Sequence, residues 1–160
     1  AALAQEWEAT AAKVTADRIV HARFGIVLSR NGGALSKMLL PFRLGLGGRL
    51  GSGEQYMSWI ALSDVISGIE YTLMNASING AVNFSSPAPI QNKHFTRVLS
   101  KVLHRPAPFH IPSIALRIVL GQMANETLLS SQFARPDKLL SHGFNFDYTC
   151  LKDALNNELY

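Results

Sequence analysis

The order of apolar and polar positions divides the chain into alternating strands and helices. Residues 1–16 set Leu3, Trp7, Ala11 and Val14 at helical spacing, with Gln5, Glu6, Glu8 and Lys13 elsewhere, which predicts an amphipathic helix. The next run, "RIVHARFGIVLS", is rich in β-branched and apolar residues and predicts a buried strand over 18–29. Asn31-Gly32-Gly33 marks a turn, and 34–42 reads as a short helix broken by Pro41. A glycine-rich run, "LGLGGRLGSG", separates this helix from a strand expected over 56–62. Ser63 or Asp64 is placed to cap the following helix, in which Val65, Ile66, Ile69 and Leu73 keep helical spacing until Asn79-Gly80. "AVNFS" predicts another strand, and after Pro87 and Pro89 a helix over 92–103 buries Phe95, Val98, Leu99 and Val102. This alternation implies an α/β fold rather than an all-α one. Past His104-Arg105-Pro106 the pattern becomes mostly helical. It predicts a helical stretch over 112–130 with a break near Gly121, a short helix opened by Pro136 and closed at Gly143, and a last helix from Thr149.

Composition narrows the function classes. At 160 residues and 48% apolar content, the chain can bury one substantial core. Its longest apolar stretch, 111–120, is interrupted by Arg117 and is too short to span a bilayer, and no basic, apolar leader opens the sequence, so no membrane role is expected. The lone Cys150 excludes an internal disulfide and fits a reducing compartment such as the cytoplasm. Five histidines show no ligand spacing with one another or with carboxylates, so no metal is expected.

The net charge of +4 is unevenly placed. No acidic residue lies between Asp17 and Glu54, an interval that holds Arg18, Arg23, Arg30, Lys37, Arg43 and Arg49. Two readings stay open: a positive field for an anionic ligand such as a nucleotide or phosphorylated sugar, or a solvated surface whose acids come from a neighbouring segment. A second basic row, Lys93, Arg97, Lys101 and Arg105, falls on one helix face. Without interleaved aromatics or a recognised module, it gives no expectation of nucleic-acid binding.

The glycine run tests poorly as a phosphate loop. A dinucleotide fingerprint needs G-x-G-x-x-G after a strand and before a helix. Gly45 and Gly47 begin that spacing but Leu50 holds the third position; from Gly51 and Gly53 the last position is Tyr56, and a strand follows. The run is expected instead to carry the chain across a substrate cleft between a short helix and a strand, with close backbone approach to a ligand.

Several stretches together carry a family resemblance. "RFGIVLSRNGGALSKMLLPFRLGLGGRLGSGEQYMSWI" with "SDV", then "GAVNFSSPAPIQNKHFTRVLSKVLHRPAPFHIPSIALRIVLGQM", "LLSSQFARPDKLLSHGFNFDY" and "LKDAL", resemble the C-terminal half of the epimerase-family proteins, a branch of the extended short-chain dehydrogenase/reductase superfamily. The resemblance implies the last part of a Rossmann-like sheet and a substrate-side region over 1–103. A mostly helical, family-specific extension would occupy 104–160. It further implies an NAD(P)-dependent nucleotide-sugar epimerase or related oxidoreductase, with this chain as its substrate-side fragment.

The same resemblance assigns residues. Gly25, Ile26 and Val27 are the expected cofactor-facing backbone, at the carboxyl end of their strand. Lys37, Arg43, Gln55, Met57 and Trp59 are the expected substrate-side residues. In sugar-nucleotide epimerases the matching strand reads Arg-Asp-Tyr-Ile-His-Val-x-Asp. Here Met57 replaces the phosphate-holding arginine and Ala61 the histidine, whereas Trp59, Ile60 and Asp64 keep the pattern. A methionine cannot imitate a bidentate phosphate clamp. The family's Gly-rich cofactor loop and the superfamily's Tyr-x-x-x-Lys pair do not occur here, Ala4 standing four residues before Glu8, so no catalytic residue is assigned. NAD or NADP is accordingly expected to bind a longer protein, and weakly or not at all this chain alone. The helix over 1–16 is expected to meet a second copy or the other half. A non-enzymatic ligand-binding regulatory domain on the same fold is the alternative.

Overall fold

The structure, a computed structural model, describes residues 2–11, 13–112 and 130–160. Its helices are α1 (Ala2–Ala11), α2 (Gly33–Arg43), α3 (Leu62–Met74), α4 (Asn92–Val102), α5 (Asp137–Ser141) and α6 (Leu151–Leu159). The strands are β1 (Val20–Phe24), β2 (Ile26–Leu28), β3 (Gly48–Leu50), β4 (Tyr56–Met57), β5 (Trp59–Ala61), β6 (Gly80–Phe84), β7 (Ile90–Gln91) and β8 (Phe109–Ile111). Three pairs, β1 with β6, β2 with β5 and β3 with β8, are parallel, while β4 and β7 are antiparallel. Parallel strands need long crossovers, which α2, α3 and α4 supply, so the α/β expectation holds.

The predicted 18–29 strand is two strands meeting at Gly25. Its first half pairs with β6 and its second with β5, and the handover is made by Gly25 N–H to Phe84 O (2.9 Å) and Ile26 N–H to Ser58 O (2.7 Å). A Cβ on Gly25 would stand 2.6 Å from Ser58 O, so only glycine lets the strand pass from one partner to the other.

β5 shows why the pattern works on both sides of the sheet. Trp59 and Ala61 enter one core with Leu28, Leu35, Phe42, Phe95, Leu99 and Leu155, while Ile60, between them, enters a second core with Val65, Ile78, Val82, Phe84, Leu139 and Phe144. Successive side chains of a strand point to opposite faces, and a strand buried on both reads as continuously apolar. Residues from both sides of position 104 share these cores.

Several boundaries differ from the sequence expectation. α1 ends at Ala11 instead of running to residue 16, and α2 continues through Pro41. In the last turn the proline ring removes only one helical hydrogen bond, a tolerable loss there. α3 is preceded by Ala61 with no side-chain cap, so neither Ser63 nor Asp64 caps it. Asp64 instead is fully buried and its carboxylate accepts the backbone N–H groups of Asp147 (2.8 Å) and Tyr148 (3.2 Å), tying the approach to α6 onto α3. The helix expected over 112–130 lies almost wholly outside the described residues. No helix among the described residues is long and apolar enough to cross a membrane.

Candidate functional site

The start of β2, just past the carboxyl end of β1, encloses a small cavity with β3, β4, α2 and the start of α4. Ile26, Met38, Leu50, Tyr56, Met57 and Asn92 line it, with Ala34, Ser130 and Gln132. Its volume is about 30 Å³, room for a water molecule or two. The wall is predominantly hydrocarbon and thioether. Among the described lining residues, Tyr56 alone carries an ionisable side chain.

Asn92 organises this wall. It is fully buried, its Oδ1 accepts the Leu50 N–H (2.8 Å), and its Nδ2 donates to the Met57 sulfur (3.3 Å). Its own N–H donates to Gln55 O (2.9 Å), so one residue joins α4 to β3 and β4. A buried amide left unbonded costs free energy, and here each group has a partner.

A strap of residues 131–135 closes the site from outside. Ser131 Oγ accepts the Tyr56 N–H (3.1 Å), and Gln132 N–H donates to Tyr56 O (3.0 Å). The buried Ser58 hydroxyl donates to Gln132 O (2.8 Å) and accepts the Ala134 N–H (2.8 Å). Ser85 Oγ donates to Ala134 O (2.9 Å), and the ring of Phe133 meets Tyr56 edge-on at 5.0 Å.

The residues expected at the site fall into three groups. Ile26 and Met57 line the cavity together; Gly25 lies between β1 and β2, and Ile26 and Val27 open β2 instead of ending a strand, because the predicted strand is split at Gly25. Gln55 and Trp59 stand behind the wall: Gln55 Nε2 donates to Leu50 O (3.0 Å), and Trp59, fully buried, donates its indole N–H to Ala88 O (2.9 Å). Lys37 and Arg43 are exposed on α2 and do not line the cavity.

The structure also divides the acid-free interval. Arg18 donates to Thr72 O (2.8 Å), Leu73 O and Asn75 O at the end of α3 and to Ile78 O (2.9 Å) in the segment that follows, satisfying carbonyls the helix leaves open. Arg23 forms a two-point ion pair with Glu8 of α1 (2.7 and 2.6 Å), which holds that carboxyl below its usual range. Both are therefore occupied by the protein itself.

The glycine run is likewise explained by packing. A Cβ on Gly47 would fall 2.6 Å from the Phe42 ring, and one on Gly48 would fall 2.2 Å from Phe109 O across the β3–β8 pair. The run holds a strand that the sequence did not announce, and these two close approaches are to protein atoms. Asn92, Ser58 and the strap were missed for a similar reason. Their roles depend on partners 35 to 76 residues away, and only the position of Asn92 at a helix start was visible locally.

Comparison with known proteins accords with the resemblance read from the motifs. Residues 111–158 match a family described as Domain of unknown function (DUF1731). An epimerase family protein of Mycobacterium bovis is 41% identical over 157 residues, spanning 97% of this chain and 52% of that protein. One from Staphylococcus aureus is 41% identical over 140 residues, 88% of this chain and 46% of its own length. The crystal structure of human epimerase family protein SDR39U1 (isoform 2) with NADPH superposes with a TM-score of 0.91 at 35% identity, covering 98% of this chain and 53% of that one. A nucleoside-diphosphate sugar epimerase from Corynebacterium glutamicum gives 0.69 at 28% identity, over 89% of this chain and 26% of its own. The chain thus resembles part of an epimerase family protein along almost its whole length, and spans about half the length of the curated relatives it matches.

Proposed function

We propose that this chain is the substrate-side wall of an NAD(P)-dependent epimerase or related oxidoreductase, whose cofactor loop lies in the remainder of a longer protein. The single observation that carries this reading is the apolar cavity lined by Ile26 and Met57, just past the carboxyl end of β1, the end of a strand at which open α/β sheets receive ligands. Gly25, Ile26 and Val27 suit one apolar face of a nicotinamide. The glycine run leads into strands and cannot hold a pyrophosphate, so the described residues fit the cofactor on that face alone. The nicotinamide, when bound, takes up and returns hydride. This chain's residues orient the substrate and exclude water, and Tyr56 is the ionisable group they bring to the cavity.

The substrate belongs to the nucleotide-sugar class in its general size, with an uncharged portion against Met57. A buried thioether engaged by Asn92 offers nothing to a diphosphate. Lys37 and Arg43, exposed on α2, are free to meet an anionic end of that substrate as it enters. Trp7, 68% exposed on α1, packs against the other half of the protein or a second copy. The exposed Cys150 fits a reducing compartment such as the cytoplasm.

The described lining residues carry one ionisable side chain, that of Tyr56, which favours a second reading, a ligand-binding regulatory domain without chemistry. Calorimetry with NADPH tests the proposal: saturable binding is expected for the longer protein and weak or no binding for these 160 residues alone. Tight binding by the isolated chain would contradict the division of labour. If the longer protein binds NADPH but no nucleotide sugar promotes hydride transfer, the regulatory reading takes over.

A further inference from the structure

A second hollow, of about 320 Å³, lies between β3, α4 and the segment entering β8, and the function proposed above makes no use of it. Arg49, Lys93, Thr96, Arg97, Ser100 and Phe109 line it. Arg49 lies beside Leu50 on β3, and neighbouring side chains of a strand point to opposite faces, so β3 partitions this hollow from the cavity that Leu50 lines. On α4, Lys93 with Arg97 and Thr96 with Ser100 stand four residues apart and share one side of the helix.

We propose that this hollow binds a phosphorylated small molecule, with the guanidinium groups of Arg49 and Arg97 holding its phosphate. The charge balance carries the inference. Glu54 engages Lys93 at 2.8 Å and also accepts Gln91 Nε2 at 3.0 Å, which consumes that acid. Among the described residues, the guanidinium groups of Arg49 and Arg97 have no hydrogen-bonding or ionic partner, although both side chains line the hollow. Two unpaired guanidinium groups beside a lysine form a concave site of excess positive charge, and guanidinium geometry suits phosphate oxygens. The Thr96 and Ser100 hydroxyls make only long bonds to Gly48 O (3.5 Å) and Arg97 O (3.2 Å), which a phosphate oxygen can replace. The volume is at the lower end of ordinary small-molecule sites, so a phosphate with a small organic substituent fits.

Inorganic phosphate and pyrophosphate, titrated into the full 160-residue chain at constant ionic strength with chloride as the balancing anion, test this. The side-chain Nε–Hε NMR signals of Arg49 and Arg97 should shift saturably, and more strongly with pyrophosphate. A double variant, Arg49→Gln with Arg97→Gln, alters only exposed side chains; it should keep the backbone spectrum and weaken binding at least tenfold. Lys152→Gln on α6 should leave binding unchanged. Shifts that grow linearly and equally at every exposed cation, or a double variant that binds as well as the parent, would overturn the proposal.

Discussion

Asp64 shows how one residue can be recognised from sequence and misassigned. Its position three residues into a helix suggests a cap, yet its carboxylate faces the backbone of Asp147 and Tyr148 from a fully buried site. Burial pushes its pKa up, the two N–H bonds pull it partly back, and the charge of Asp147 adds to the rise. A carboxyl whose pKa is higher in the folded state contributes most at pH below the ordinary aspartate value, ~3.9, and loses that contribution as pH rises through the raised value. The stability of the parent relative to the non-titrating Asp64→Asn variant should therefore fall as pH increases across that interval, measured by urea denaturation at a series of pH values. At neutral pH, Asp64→Asn still turns an amide N–H against a backbone N–H, at a cost of about 1–3 kcal/mol. Met57 is the opposite case: its departure from the family pattern was legible in the sequence, but its bond to Asn92 was not.

Elements with strong periodicity were the readable ones. α4 buries Phe95, Leu99 and Val102 at the expected spacing, with Val98 only partly buried, and β6 appears where "AVNFS" placed a strand. β3, β7 and β8 were not legible, because each has two or three residues and exists through pairing with a distant segment. The end of α3 was expected at Asn79-Gly80 but comes at Met74, and the structure shows a specific device there. Arg18 supplies donors to four carbonyls from outside the helix. Arg18→Met keeps much of the aliphatic stem and removes these bonds, so it should cost about 1.5–3 kcal/mol, the usual worth of hydrogen bonds to a charged donor. Amide exchange should accelerate in the last turn of α3 and in the segment leading to Ile78, while α4 keeps its protection.

For the molecule as a whole, the fold class and family resemblance were legible because apolar alternation and motif order extend along the chain. The closure of the cavity was not, since it depends on side chains meeting from six separate segments. Apolar side chains stand exposed on one face of the described residues: Phe24 on β1 is 49% exposed, and Ile66, Ile69, Leu73 and Met74 form an exposed side of α3. Contiguous apolar surface of this kind marks an interaction face. The isolated chain should bind a hydrophobic dye there. Ile66→Glu with Leu73→Glu should abolish most of the fluorescence gain without shifting the denaturation midpoint by more than a small margin, and persistence of the dye signal would place the apolar surface elsewhere.

The strap has a consequence for the order of assembly. Its bonds to Ser58 join residues 74 and 76 apart in the chain, a long loop to close, and many of its own side chains remain exposed. Because the strap contributes no side chain to the two buried cores, it settles after those cores have drawn β2, β4 and β5 together. The part of the wall built from Ile26, Met38, Leu50, Met57 and Asn92 is therefore shaped before the strap covers it, and a ligand meeting the protein at that stage finds the site still open.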